Sequence, residues 1–101
     1  MTSAKELVES AISNNKIVIF SKTWCGYSTG AKRLFASEYK DEKPTVVELD
    51  IDKDGDAMQA YLLEKTGQRT VPNVFVNKTH IGGHDDTQKA HRNGTLKQLL
   101  A

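Results

Sequence analysis

Residues 16–50 read KIVIFSKTWCGYSTGAKRLFASEYKDEKPTVVELD. The opening, Lys16 to Ser21, is a short apolar run rich in β-branched side chains, the pattern of a central strand buried on both faces. After a turn at Thr23-Trp-Cys-Gly26, the residues Ala31, Leu34, Phe35 and Tyr39 recur at helical spacing. Pro44 then resets the chain into a second strand, Thr45 to Asp50. Strand, helix and strand in so short a span make a βαβ unit, whose two strands run parallel.

Upstream, Ser3-Ala-Lys-Glu6 reads as a capping box, the hydroxyl and the carboxylate satisfying the opening backbone N–H groups of a helix. Leu7, Val8, Ala11 and Ile12 form its apolar stripe and Asn14-Asn15 ends it. Downstream, a helix is predicted over Asp56–Thr66, with Met58, Tyr61 and Leu62 inward and Gly67 as its stop. Val74-Phe-Val76 and Thr79-His-Ile81 flank Asn77-Lys78, the spacing of a two-residue hairpin. Gly82-Gly83 and an acidic helix start at Asp85-Asp86 follow, then a break at Gly94. Thr95 is expected to cap a last helix with Leu96, Leu99 and Leu100 as its apolar face. With no linker, repeat or low-complexity tract, residues 1–101 form a single α/β domain. Its simplest packing is a mixed central sheet of about four strands flanked by helices on both faces.

The 101 residues carry 14 Lys+Arg against 13 Asp+Glu, a net charge of +1, so no strong field recruits nucleic acid or a membrane surface. The single cysteine excludes an internal disulfide framework and a multi-cysteine zinc site, and suits a reducing compartment. No apolar run approaches the roughly 20 residues of a membrane span. The opening residues Met1 to Glu6 lack the apolar core of a signal peptide. The location expected from this is cytoplasmic.

Cys25 stands where the first strand hands over to a helix. A helix N-terminus presents outward N–H groups and the positive end of the dipole, both of which favour thiolate over thiol. Lys22, three residues upstream, adds positive charge. Ligands bind at the C-terminal edge of strands in α/β sheets, and Gly26 permits close backbone approach. The other reading is a buried cysteine acting as a small hydrophobe, which leaves an interaction module with an inert thiol. Ser28 makes the turn Cys-Gly-Tyr-Ser, a redox-type turn without its second sulfur. A serine hydroxyl can donate to a thiolate but cannot resolve a mixed disulfide, so exchange must draw its second thiol from solution. Otherwise Ser28 is ordinary first-turn polarity.

Pro72, at the end of Gln68-Arg-Thr-Val-Pro72, is either punctuation before a strand or a cis bond that holds the preceding backbone groups open to a ligand. Lys22 and Arg69 suit a carboxylate clamp, or else are two solvated charges. Gly82-Gly-His-Asp-Asp86 is either an anion-accepting helix start or a plain turn with an Asp cap. His80, His84 and His91 match no zinc spacing and read as surface residues, with His84 and His91 two turns apart on one helix side.

In combination, the turn Lys22-Thr-Trp24-Cys25-Gly26-Tyr27-Ser28, the segment Gln68-Arg69-Thr70-Val71-Pro72 and the segment Gly82-Gly83-His84-Asp85-Asp86 resemble three parts of the glutaredoxins. These are the active-site turn, the cis-proline loop and the glutathione-tail loop. The resemblance covers essentially the whole chain and is to the small monothiol Cys-x-Tyr-Ser type, fungal members in particular. It implies a thioredoxin fold and a glutathione-dependent thiol–disulfide oxidoreductase that acts on glutathionylated proteins or small disulfides. It makes Cys25 the nucleophile, within a turn shared by Trp24, Gly26 and Ser28. Lys22, Gln68 and Arg69 would surround the glycine carboxylate of glutathione. The Val71 backbone, between Thr70 and Pro72, would pair in strand fashion with the tripeptide, while Tyr27 lines the groove. Gly83, Asp85 and Asp86 would receive the γ-glutamyl end.

Three departures from the family's usual pattern stand out. Gly26 replaces the proline after the first cysteine, Ser28 replaces the second cysteine, and Thr29-Gly30 replaces a basic or bulky pair. The chain is not similar to the Cys-Gly-Phe-Ser cluster carriers, because it has Tyr27 and lacks their extended loop between Lys22 and Cys25. The alternative to a monomeric apo-enzyme is a homodimer bridged by a [2Fe–2S] cluster, with Cys25 and glutathione as ligands. Gly26, free of proline's fixed φ, is the feature that permits it. Some fungal members of this type lie in the secretory pathway behind an N-terminal anchor, which is the alternative to a cytoplasmic location.

Overall fold

The computed structural model describes residues 2–101, and its order of elements follows from one strand. Every residue of β1 (Ile17–Ser21) is buried, because both faces of that strand are covered. It pairs in parallel with β2 (Thr45–Glu48) and antiparallel with β3 (Asn73–Val76), which pairs antiparallel with β4 (Thr79–Gly82). The sheet order is therefore β2-β1-β3-β4. The helices are α1 (Ala4–Asn14), α2 (Gly26–Glu38), α3 (Gly55–Thr66), α4 (His84–Arg92) and α5 (Thr95–Leu100).

Strand alternation divides the core in two. Ile17 and Ile19 of β1, with Val74 and Val76 of β3, meet Ala31, Leu34 and Phe35 of α2, Ala90 of α4 and Leu96 of α5. Val18, Phe20 and Phe75 point the other way, onto Val8 and Ile12 of α1 and Met58 and Leu62 of α3. The mixed four-stranded sheet with helices on both faces is thus as expected, and the parallel β1–β2 pair is the βαβ unit of residues 16–50.

The local expectations for α1, β2 and α5 need one correction each. Ser3 does cap α1, its Oγ accepting from the Glu6 N–H at 3.1 Å, but the Glu6 carboxylate accepts from the Ser3 hydroxyl at 3.2 Å, so the capping box is half made. β2 stops at Glu48, although the Leu49 N–H still reaches the Ser21 carbonyl at 2.8 Å. Thr95 lies inside α5 and does not cap it. Gly94 turns left-handed at φ 86°, which lets the Asn93 carboxamide reach back to the Thr95 N–H at 2.9 Å.

Asn77 and Lys78, at φ 46° and 68°, form the left-handed pair of the two-residue hairpin. Gly67, at φ 78°, closes α3 as expected. Two of the histidines differ from the surface reading, while His80 is exposed as expected. His84 and His91 are half-buried and both face α2, His91 Nδ1 lying 2.8 Å from the Tyr39 hydroxyl. His80 Nε2 is 2.7 Å from Asn73 Oδ1.

Candidate active site

Cys25 occupies the residue just before α2, with φ −86° and ψ 118°, and is 9% exposed. Its backbone closes the turn on both sides: the Cys25 N–H donates to the Lys22 carbonyl at 3.1 Å, and its carbonyl accepts from the Thr29 N–H at 3.1 Å. The Thr23 N–H donates to Asp50 Oδ1 at 3.1 Å and the Thr23 hydroxyl bonds the same carboxylate, pinning the turn to the segment that follows β2. Those hydrogen bonds hold the Asp50 carboxyl below its ordinary range.

Burial pushes the Cys25 thiol up, and four groups outweigh it: the Ser28 hydroxyl, the Ser28 and Tyr27 backbone N–H groups, and the charge of Lys32. The net result is a thiol below its ordinary value. Ser28 is fully buried, and its hydroxyl closes no hydrogen bond among the described residues. It stands near enough to the sulfur to favour the charged form, and a thiolate is the acceptor it lacks. The expected helix-terminus effect on the sulfur is therefore present, but the cation differs. Lys32 acts on the sulfur, whereas the Lys22 ammonium lies 5.7 Å from the Trp24 ring centre and its charge bears on Asp50.

Lys32 was not anticipated, although Cys25, Ser28 and Lys32 fall at helical i, i+3, i+7 spacing on one side of α2. Its ammonium is 2.7 Å from Glu48 Oε2. Removing a positive charge disfavours the thiolate, so Lys32→Met is expected to move the pH midpoint of Cys25 alkylation upward. It should slow alkylation below that midpoint and leave the high-pH rate unchanged, while Lys32→Arg stays near wild type. A pH–rate profile with iodoacetamide reads this directly, and coincident Met and wild-type profiles would remove Lys32 from the site.

Across from the sulfur, the Val71–Pro72 bond is cis, so the proline is more than punctuation. The Val71 carbonyl accepts from Cys25 Sγ at 3.7 Å. The Gln68 carboxamide braces the loop, donating to the carbonyls of Thr70 and Pro72, each at 2.9 Å. Gln68 Nε2 is thus engaged within the chain. Arg69 is exposed and makes no ion pair among the described residues.

Tyr27, Thr70, Val71, His84 and Asp85 line a cleft of about 240 Å³ next to this turn. Trp24 and Tyr27 stand out beside it, 72% and 67% exposed. Gly83 caps α4, and the Asp86 carboxylate reaches back to the Gly83 N–H at 3.1 Å, so the cap is glycine with a returning Asp86 and not an Asp at the cap itself. The structure brings Cys25, Tyr27, Ser28, Thr70, Val71, Pro72, Gly83 and Asp85 to one edge of the sheet. Lys22 and Arg69 lie outside the lining of the cleft. Among the described residues, no group of three or more His, Cys, Asp or Glu side chains could hold a metal ion.

Residues 17–81 match the glutaredoxin family model. Monothiol glutaredoxin-S6 of Oryza sativa subsp. japonica is 51% identical over 98 residues, which span 97% of this chain and 73% of that protein. Glutaredoxin-1 of Rhizophagus irregularis is 42% identical over 101 residues, spanning 100% of this chain and 98% of that one. The likeness therefore reaches plant as well as fungal proteins. The crystal structure of a buckwheat glutaredoxin–glutathione complex superimposes with a TM-score of 0.90 at 45% identity, covering 96% of this chain and 86% of that one. This chain belongs to the glutaredoxins, thiol oxidoreductases of thioredoxin fold.

Proposed function

We propose that this glutaredoxin removes glutathione from glutathionylated proteins and small disulfides by a one-cysteine cycle. The observation that carries the reading is a lone, acid-shifted cysteine beside a cleft, with a buried serine where a second sulfur would otherwise stand. In the first step the Cys25 thiolate attacks the glutathione sulfur of the substrate. A Cys25–glutathione disulfide forms, the substrate disulfide breaks, and the substrate leaves as a thiolate that takes a proton from solvent. In the second step a free glutathione thiolate attacks the glutathione sulfur bonded to Cys25. Oxidised glutathione departs and the Cys25 thiolate returns.

A lowered thiol pKa raises the thiolate fraction but lowers its nucleophilicity, so the two effects largely cancel for attack. The gain lies in the second step, where Cys25 is the leaving group and a low pKa speeds departure. Ser28 and the helix N–H groups, which favour the charged sulfur, therefore serve turnover. The reducing, glutathione-rich setting this cycle draws on is cytoplasmic in kind, and no helix among the described residues is long and apolar enough to cross a membrane.

Binding is assigned by position. The Val71 backbone, presented by Pro72 and braced by Gln68, pairs with the tripeptide of glutathione. Tyr27 and Thr70 wall it, Lys22 and Arg69 attract the glycine carboxylate, and Gly83, Asp85 and Asp86 receive the γ-glutamyl end. Arg69 is exposed and Lys22 partly so, and Lys22→Ala and Arg69→Ala should each raise the glutathione KM only about two- to tenfold. The effect should shrink at high salt. An unchanged KM in both variants would remove the carboxylate clamp.

A [2Fe–2S] cluster needs four thiolates, and this chain supplies one. The residues present do not by themselves fit the group, and no step runs through it. Gly26 does not argue for it either. A Cβ there would meet nothing within 4 Å, and proline is favoured at the first helical position. The deciding experiment is a coupled assay, in which a mixed disulfide of glutathione and 2-mercaptoethanol is turned over with glutathione and glutathione reductase. Robust turnover that is saturable in the mixed disulfide supports the reading. Inactive protein that reconstitutes anaerobically as a coloured dimer would replace it with the cluster-bridged alternative.

A further inference from the structure

Gly30 lies inside α2, where glycine is a poor helix former, and what occupies its missing side chain is a residue of another helix. A Cβ at residue 30 would fall 2.9 Å from His84 Nε2 and 3.0 Å from His84 Cδ2. His84 opens α4, and its ring centre is 5.5 Å from that of Tyr27, the two planes inclined at 46°. Nδ1 lies 3.3 Å from Asp85 Oδ1, and Nε2, the atom that faces Gly30, lies 3.4 Å from Gln88 Nε2. His84 lines the cleft together with Tyr27, Thr70, Val71 and Asp85. Asp85, the other cleft residue from α4, has a fully exposed side chain.

We propose that His84 is a substrate-contacting wall of the cleft and that Gly30 is the residue that seats it, so that residues 30 and 84 together set affinity for the glutathione moiety. The inference rests on the glutathione reading above. Tyr27 and His84, their ring centres 5.5 Å apart, are in contact and form one continuous aromatic surface along the cleft. The unexplained glycine at residue 30 thereby acquires a role in recognition that is separate from the thiol chemistry.

The test is a double-mutant cycle on His84→Ser, Gly30→Ala and the pair, using the mixed disulfide of glutathione and 2-mercaptoethanol as substrate. Each single change should raise the KM about three- to fivefold with kcat within about twofold, the scale of one lost aromatic contact. The double variant should match His84→Ser alone, because the added methyl no longer has a ring to displace. Gly30→Ala should not lower the melting temperature, since the helix gains a better former while the displaced group is only the tip of a side chain. The Cys25 alkylation rate should be unchanged in all three. His84→Phe, which keeps a flat ring, should restore the KM.

An unchanged KM in an active His84→Ser, a double variant whose effect is the product of the singles, or a KM in His84→Phe as high as in His84→Ser would each overturn the inference. So would a Gly30→Ala that loses melting temperature at unaltered KM. Wild-type protein that does not turn over the mixed disulfide would overturn the glutathione reading as well, which separates the two failures.

Discussion

Cys25→Ser retains less than about a thousandth of wild-type turnover in the coupled glutathione assay, because it removes the only sulfur able to accept glutathione. Ser28→Ala and Ser28→Cys behave differently and stay within about tenfold of wild type, since the resolving thiol comes from solution. Ser28→Ala should nevertheless move the Cys25 alkylation midpoint to higher pH, as the hydroxyl that favours the thiolate is gone. Its fold should be unharmed, because the buried hydroxyl it removes has no hydrogen bond to lose among the described residues. Comparable turnover in Cys25→Ser would sink the enzymatic reading. A Ser28→Ala as inactive as Cys25→Ser would give that serine a direct part in the chemistry.

Gly55→Ala is expected to be the most damaging single methyl for stability. A Cβ there would fall 1.8 Å from the Leu49 carbonyl oxygen and 2.7 Å from its carbonyl carbon. Both are backbone atoms, so no rotamer relieves the clash. The chain from Leu49 to the start of α3 must move, and Leu49 is anchored in the core and to the Ser21 carbonyl. A cost of about 3 kcal/mol follows from overpacking of this kind. In a domain of this size that lowers the melting temperature by about 12–24 °C. Asp50 follows Leu49 and pins Thr23 of the catalytic turn, so turnover per folded molecule should drop too. A thermal melt within about 3 °C of wild type would mean the loop has slack.

What could be read from sequence depended on how far apart the interacting residues lie. β1 and α2 were legible because a continuous apolar run and a helical repeat report their own burial, and their closeness dictates the parallel pairing. The hairpin was legible because two residues between strands leave one economical turn. The state of the Val71–Pro72 bond stayed open between two geometries until the resemblance was drawn, since isomer choice depends on packing around it. Thr95 misled because capping was reached from Asn93 across a left-handed glycine, a backbone choice with no mark of its own in residue type. Lys32, the Thr23–Asp50 clamp and the seat of His84 against Gly30 escaped for one reason. Each joins elements whose relative placement emerges only when the helices settle on the sheet, and the charge on Lys22 looked nearer to the sulfur simply because it is nearer in the chain.

The left-handed pair at Asn77 and Lys78 has a consequence for how this lineage can vary in length. Those two residues set the pairing in which Phe75 faces His80 and Val76 faces Thr79. One inserted residue would slip β4 by one place, turning Ile81 out of the core and carrying Gly82 and Gly83 away from Pro72. On the other outer edge of the sheet, the connection from α2 to β2 runs through exposed Lys40, Asp41 and Lys43 and holds no ladder in register. Related chains should therefore gain and lose residues between Tyr39 and Pro44, while the interval between Val76 and Thr79 keeps its length.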